Sequence, residues 1–156
     1  MGVIDPKFKN NVIRKRFAIF EQRLKKVIIF YLSALGESLV AYARENHSYI
    51  DQTGNLTNSI GYAVVYNKEI VKSSEAASPD VSDAISDTIN KLLKEVSNTY
   101  ELIIVAGMNY AAYVESKGYN VILPAELKAR TDFPKRMKEI EELANKKVQE
   151  FLKISA

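Results

Sequence analysis

The strongest constraint on this chain is a run of apolar residues between about Asn11 and Asn46 that recurs every three or four positions: Ile13, Phe17, Phe20, Leu24, Val27/Ile28, Tyr31, Leu35, Leu39 and Tyr42. That interval matches the turn of an α-helix, so the segment predicts one long amphipathic helix whose stripe needs a cover. Gly36 interrupts the run, and glycine inside a helix costs about 1 kcal/mol relative to alanine, so it marks a place for a bend or a split. Val12, Ile19 and Phe30 fall on a second side of the same helix, with Arg23 and Lys26 between them. Two apolar stripes on one helix mean either a subunit interface or burial on two sides within the chain, and these five residues are candidate interface residues.

Beyond the helix, His47 to Asn55 is polar and rich in turn-forming residues, which predicts a loop. Ile60, Tyr62, Val64 and Tyr66 then alternate with Gly61, Ala63 and Val65, and Asn67-Lys68 separates them from Ile70-Val71, the pattern of a β-hairpin over 59–66 and 69–72. After the small polar stretch Ser73 to Pro79, the residues Val81, Ala84/Ile85, Thr88/Ile89, Leu92/Leu93 and Val96 mark one helical face, with Ser78 as N-cap and Pro79 in first position. Tyr100 to Ala106 is a largely apolar run rich in β-branched residues, as expected of a strand covered on both faces and central in its sheet.

Asn109 to Ser116 reads as a short helical or irregular segment closed by Gly118 in the left-handed conformation. The brief run Tyr119 to Leu123, broken by Pro124, is the alternative candidate for a further strand. A last helix is predicted over 133–154, with Pro134 in its first turn and Met137, Ile140, Ala144, Val148 and Phe151 on its buried side. The sum is an α+β fold: a long N-terminal helix and two further helices on a small antiparallel sheet. With 47% hydrophobic and 26% charged residues the chain has a globular balance, and no linker or repeat divides it, so residues 1–156 are read as one domain.

Charge is unevenly distributed. Residues 1–31 carry Lys7, Lys9, Arg14, Lys15, Arg16, Arg23, Lys25 and Lys26 against Asp5 and Glu21, a balance of 8 − 2 = +6, so with a net charge of +3 the rest sums to −3. This basic helical segment, Arg14, Lys15 and Arg16 above all, suits DNA or an acidic partner surface, or simply a solvated helix face. The basic start lacks the apolar core and cleavage site of a secretory signal. Met1-Gly2 resembles a lipidation start only until Pro6, where that motif wants Ser or Thr. The longest apolar stretch, Val27 to Ala34, is short of the roughly 20 residues of a membrane helix, so no membrane partner is expected.

Catalytic and metal chemistry finds few candidates. The chain has one histidine, His47, and no cysteine, which leaves no thiolate, no zinc-ligand spacing and only one imidazole base. His47, at the end of the first helix, reads as a capping or surface residue. No Gly-x-Ser-x-Gly elbow or phosphate loop is present, and Glu139, Glu141 and Glu142 read as the solvated face of the last helix. An enzyme is not expected, nor a cofactor. Phe17, Phe20 and Tyr31 lie at helical spacing rather than forming a base-stacking platform, and no DNA-binding motif accompanies the charge.

Two blocks carry the informative pattern. Asp51 to Ile60 contains Thr53-Gly54-x-Leu56-x-x-Ser59-Ile60, and Val105 to Glu115 contains Gly107-x-x-Tyr110-Ala111-x-Tyr113-Val114-Glu115. In identity, order and spacing the pair resembles the long-tailed phage neck family, which includes tail-completion and terminator-like proteins. Physically each residue has a shaping role. Thr53 and Asn55 suit local backbone bonds, Gly54 suits positive φ, and Leu56 and Ile60 anchor the loop. Tyr110, Tyr113 and Val114 pack a short helix, and Glu115 is left to cap backbone groups or meet a basic residue. The chain departs from the family in Glu115-Ser116-Lys117-Gly118-Tyr119, which inserts a residue and lacks a Thr, and in the extra length of Ser73 to Asn98.

The resemblance implies a structural virion protein at the head-to-tail junction, assembled in the host bacterial cytoplasm. It implies a homo-oligomeric ring around the DNA channel, on the order of six copies or alternatively twelve, between portal-side connector proteins and tail proteins. Non-specific contact with packaged DNA is compatible with the basic N-terminal segment. The alternative reading is a small basic DNA-associated module.

Overall fold

The computed structural model describes residues 6–76 and 78–155, with the side chains of 10–76 and 78–153. Met1, Gly2 and Asp5, and the side chains of Lys7 and Lys9, on which the lipidation comparison and the start of the basic segment rest, lie outside the described residues. The elements are α1 (Pro6–Glu45), α2 (Asn55–Asn58), β1 (Ile60–Tyr66), β2 (Glu69–Ser73), α3 (Pro79–Leu92), β3 (Tyr100–Ala106), α4 (Ala111–Ser116) and α5 (Leu123–Ser155). The fold is α+β, with an antiparallel sheet in the order β2-β1-β3.

The sheet is the middle of three layers. Alternation along β1 sends Tyr62 and Val64 toward Leu32, Leu35 and Leu39 of α1, and Ala63 and Val65 toward Val81, Ile85 and Ile89 of α3. β1 is therefore buried on both faces. It, and not β3, is the central strand, which corrects the expectation for Tyr100 to Ala106. Leu102 and Ile104 of β3 pack on the α1 side and Ile103 and Val105 on the α3 side, so its composition does report two covering layers. Apolar side chains on both faces record what lies above and below a strand, not what lies beside it.

The hairpin β1-β2 closes through Asn67 and Lys68, both at positive φ (52° and 64°), as a two-residue turn with the twist of its strands requires. A bulge between Val64 and Val65 shifts the register with β2. α3 has its expected start at Ser78 and Pro79, although the Ser78 side chain makes no capping bond, and it stops at Leu92, so Val96 packs from the following loop.

α1 runs unbroken through Gly36. A Cβ at that position would come within 2.6 Å of the Tyr62 ring, so the glycine allows close helix-to-sheet approach and does not split the helix. α1 is also long and apolar enough, by length and composition, to cross a membrane, contrary to the count over Val27 to Ala34. Much of that apolar surface is spent on the core, where Leu32, Leu35, Leu39, Val40 and Ala43 are buried.

α5 starts at Leu123, ten residues before the predicted 133, and runs to Ser155. Pro124 takes the place in the first turn expected of Pro134, and Pro134 sits inside the helix with its ring exposed. The missing N–H of Pro134 forfeits one backbone bond, and packing along α1 holds the helix through it. The run Tyr119 to Leu123 forms no strand; Val121 is fully buried and the chain turns directly into α5.

α1 and α5 lie antiparallel. At one end Lys128 Nζ sits 5.2 Å from the Tyr42 ring, and at the other Phe17 and Phe20 meet Phe151 with ring centroids 6.4 and 5.5 Å apart. The sheet ends near Lys25, whose Nζ lies 4.5 Å from the Tyr66 ring, itself stacked on Tyr100. From there toward the N-terminus the helix pair continues as an arm beyond the sheet, about 25 Å long at 1.5 Å per residue.

Candidate assembly site

The loop after α1 is organised by side chains reaching back to backbone. Asp51 Oδ2 accepts a 2.7 Å bond from the Thr57 amide. Burial pushes the Asp51 carboxyl up, but hydrogen bonds from the Thr57 amide and hydroxyl and from the Leu56 and Gly54 amides outweigh it, and the group titrates below its ordinary value. Thr53 Oγ1 accepts from the Asn55 amide at 3.3 Å, and Gly54 takes φ +74° ahead of α2. The left-handed φ explains the glycine of the first block. Leu56 is buried against the α1 side of the sheet. The short helix α2 and the capping role of Asp51 were not read from the sequence; an aspartate ahead of Thr-Gly-Asn was the available signal.

Ser59 joins the two blocks. Fully buried, its Oγ donates to the Leu56 carbonyl at 2.7 Å and accepts from the Met108 amide at 3.3 Å, while its carbonyl accepts from the Gly107 amide at 2.9 Å. Ile60 continues this ladder opposite Ala106, and its carbonyl accepts a 2.7 Å bond from Arg44 Nη2 at the end of α1. Gly107 lies where a Cβ would meet the backbone of Ala84 and Ile85 at 2.7 Å, so the second glycine of the pattern lets α3 touch the strand end. Residues 49 positions apart thus form one unit.

In the second block, Ala111 is buried and Val114 packs on the core, but Tyr110 and Tyr113 are exposed. This corrects the expectation that both tyrosines pack α4 onto the sheet: only the side of that short helix carrying Ala111 and Val114 faces the core. Tyr113 is 64% exposed, with Lys117 Nζ 5.3 Å from its ring. Glu115 does cap backbone, since its Oε1 accepts from the Ile122 and Leu123 amides at 3.1 and 2.8 Å, holding the N-terminus of α5. Gly118 adopts φ +87° just past α4, as expected of a left-handed C′ residue.

The arm gathers the remaining candidates. Val12 is half-buried, whereas Ile19 is 49% and Phe30 69% exposed, so the second stripe is not buried within its own chain. Ile13 and Phe17 of the main stripe are also exposed, because among the described residues that end of α1 packs on α5 and not on the sheet. Arg14, Lys15, Arg16, Arg23 and Lys26 are exposed along the same helix. Between α1 and α5 a cleft of about 300 Å³ is lined by Ile19, Phe20, Leu24, Leu143 and Phe151, with Arg16 and Arg23 at its polar margin.

His47 does not cap α1. Asn46 does so through its amide and side-chain nitrogen, both donating to the Tyr42 carbonyl, while the His47 ring stacks on Tyr49 and its Nδ1 pairs with the Tyr49 carbonyl. Glu139, Glu141 and Glu142 lie exposed, Glu139 paired with Arg136. Glu37, unremarked among the apolar residues of α1, accepts a 2.9 Å bond from the buried Tyr62 hydroxyl. Among the described residues, no group of three or more His, Asp or Glu is placed to hold a metal ion. Against models of protein families, curated proteins and solved structures, the chain finds no match.

Proposed function

We propose that this chain is a structural subunit of a tailed-phage virion, one member of a ring at the head-to-tail junction that joins portal-side proteins to the tail around the DNA channel. The observation that carries this reading is the union of the two sequence blocks through Ser59 and Gly107. The residues carrying the neck-family resemblance are not scattered. Most of them build one joint, in which Thr53, Gly54 and Leu56 shape its loop, Ser59 fastens it, Gly107 admits α3, and Glu115 launches α5. Each acts on backbone or core, the task of a scaffold and not of a substrate site.

The exposed tyrosines Tyr110 and Tyr113 and the basic arm are then the surfaces offered to neighbours. The test is density of the assembled particle with this chain labelled. Multiple copies arranged about the tail axis at the junction are expected, and a single off-axis copy, or none in the virion, refutes the reading. A second reading, a DNA-associated module, rests on the exposed Arg14, Lys15 and Arg16. It predicts submicromolar, salt-sensitive duplex binding by the isolated chain, lost on reversing those three charges.

A further inference from the structure

Two exposed faces of opposite charge lie on α1 and α3. On α1, Ile19, Arg23, Lys26 and Phe30 fall within about 60° of one another around the axis, at 100° per residue. All four are exposed. On α3, Asp80, Asp83 and Asp87 fall on the face opposite the buried Val81, Ile85 and Ile89, and all three are exposed. The four ion pairs among the described residues all lie within α5, and none involves Arg23, Lys26 or these aspartates. α1 packs on one face of the sheet, with Arg23 on the arm beyond it, and α3 packs on the other face, so the two charged surfaces lie apart within one subunit. Only another molecule can bring them together.

We propose that the outer face of α1 at Arg23, Lys26 and Phe30 docks on the acidic face of α3, at Asp80, Asp83 and Asp87, of a second copy of this chain. Arg23 and Lys26 are three residues apart, as are Asp80 and Asp83, so both pairs have the same axial spacing of about 4.5 Å. Phe30 is the apolar element of the contact, and the small side chain of half-buried Ala84 lies beside the aspartates. Lys91 follows on the same face and confines the acidic stripe to the first part of α3. The interface is heterologous: each subunit offers a basic face on one side of its sheet and an acidic face on the other, the arrangement that builds a ring when the rotation closes. The inference rests on the ring reading above and names the two faces of its subunit contact; α3 lies in the segment by which this chain exceeds the family pattern.

Exposed charge pairs are individually weak and screened by salt, so association of the free chain is expected to be concentration-dependent and to weaken as salt rises. The experiment is sedimentation velocity of the full chain at low and high salt, with two variants: Arg23→Glu/Lys26→Glu and Asp83→Lys/Asp87→Lys. Each alone is expected to lose association about tenfold or more, since like charges then face each other. An equimolar mixture restores it, because each reversed face meets its complement on the other variant. Circular dichroism checks that both variants are folded, and Phe30→Ala supplies a further weakening variant without a charge change. A mixture no better than either variant alone, or a wild-type chain that stays monomeric at low salt, overturns the docking. Copies around the tail axis in particles built from either charge variant would leave the ring reading standing without it. Rescue in the mixture, with no ring in the virion, would leave the docking standing without the ring.

Discussion

Replacing Gly36 with alanine sets two effects of opposite sign against each other. Alanine is the better helix former, and in an exposed helix interior the change would stabilise by about 1 kcal/mol. Here the new Cβ would lie 2.6 Å from Cγ and Cδ2 of Tyr62 and 3.1 Å from Leu102 Cδ1. The tyrosine ring cannot swing away. It is fully buried in the central strand, and its hydroxyl is held by Glu37 one residue further along α1 at 2.9 Å. Relief must come from shifting α1 off the sheet or forcing Tyr62 out of its rotamer, and overpacking of this kind costs about 1–3 kcal/mol or more. Because the contact is with a rigid ring, the upper part of that range applies, and the net effect is a loss of about 1–2 kcal/mol. For a chain of this length the loss corresponds to a fall in Tm of about 2–8 °C. Thermal unfolding followed by circular dichroism reads it, and a double-mutant cycle with Tyr62→Leu isolates the steric part as a coupling between the sites. An unchanged or higher Tm for Gly36→Ala would refute the close-approach argument.

Ser59→Ala removes both side-chain bonds of the joint and takes the serine acceptor from the half-buried Met108 amide, at a cost of about 1–3 kcal/mol; hydrogen exchange around 105–111 should speed up, and unchanged protection there would count against Ser59 as the fastener. Glu115→Ala uncovers the first amides of α5 and should cost about 1–2 kcal/mol, seen as a lower urea midpoint, while Glu115→Gln, which keeps the acceptor oxygen, should lose less. The Asp51 carboxyl titrates lower folded than unfolded, so its stabilising share is present above the ordinary carboxylate range and fades as pH falls through the folded value; Asp51→Asn should flatten the acid limb of stability against pH. Burial, then the bond to Glu37, pushes Tyr62 up to about 12, so neutral Tyr62 favours the fold fully below the ordinary tyrosine pKa and loses that share as pH rises through about 12. Burial also raises Tyr49 and Tyr100, so among the nine tyrosines phenolate absorbance should show a late phase that loses its step near 12 in Tyr62→Phe.

Helices and strands with strong periodicity were legible in the residues themselves: α1, α3, and the strands of the hairpin and of Tyr100 to Ala106 stand near where their patterns put them. What could not be read was lateral position and continuity. β3 is as apolar as a central strand because two layers cover it, and no local pattern distinguishes that from having a strand on each side. At the start of α5 the local pattern favours Pro134, whereas Pro124, ten residues earlier, supplies the start and the Glu115 carboxylate caps it. Gly54, Gly118 and Glu115 are legible as shaping residues, but the close approach at Gly107 and the partners of Ser59 and Arg44 lie across the sheet and the loop, where spacing along the chain carries no signal. Tyr110 and Tyr113 stand outside the core for the converse reason: the short helix α4 buries only a narrow side, and the smaller Ala111 and Val114 occupy it.

The antiparallel pairing of α1 with α5 also has a kinetic side. The whole hairpin, α3 and β3 lie between the two helices in the chain, so the apolar flank of α1 that α5 covers must stay open until everything between has been made. Contacts of that sequence separation raise contact order and slow folding. During that interval Phe17, Phe20 and Leu24 form a sticky surface on an otherwise competent nucleus, the kind of transient exposure that draws chaperones or promotes aggregation. Lowering the temperature of synthesis, or supplying the α5 segment in trans to a chain truncated before Leu123, should therefore raise the soluble yield, because what limits the fold is the wait for the partner helix.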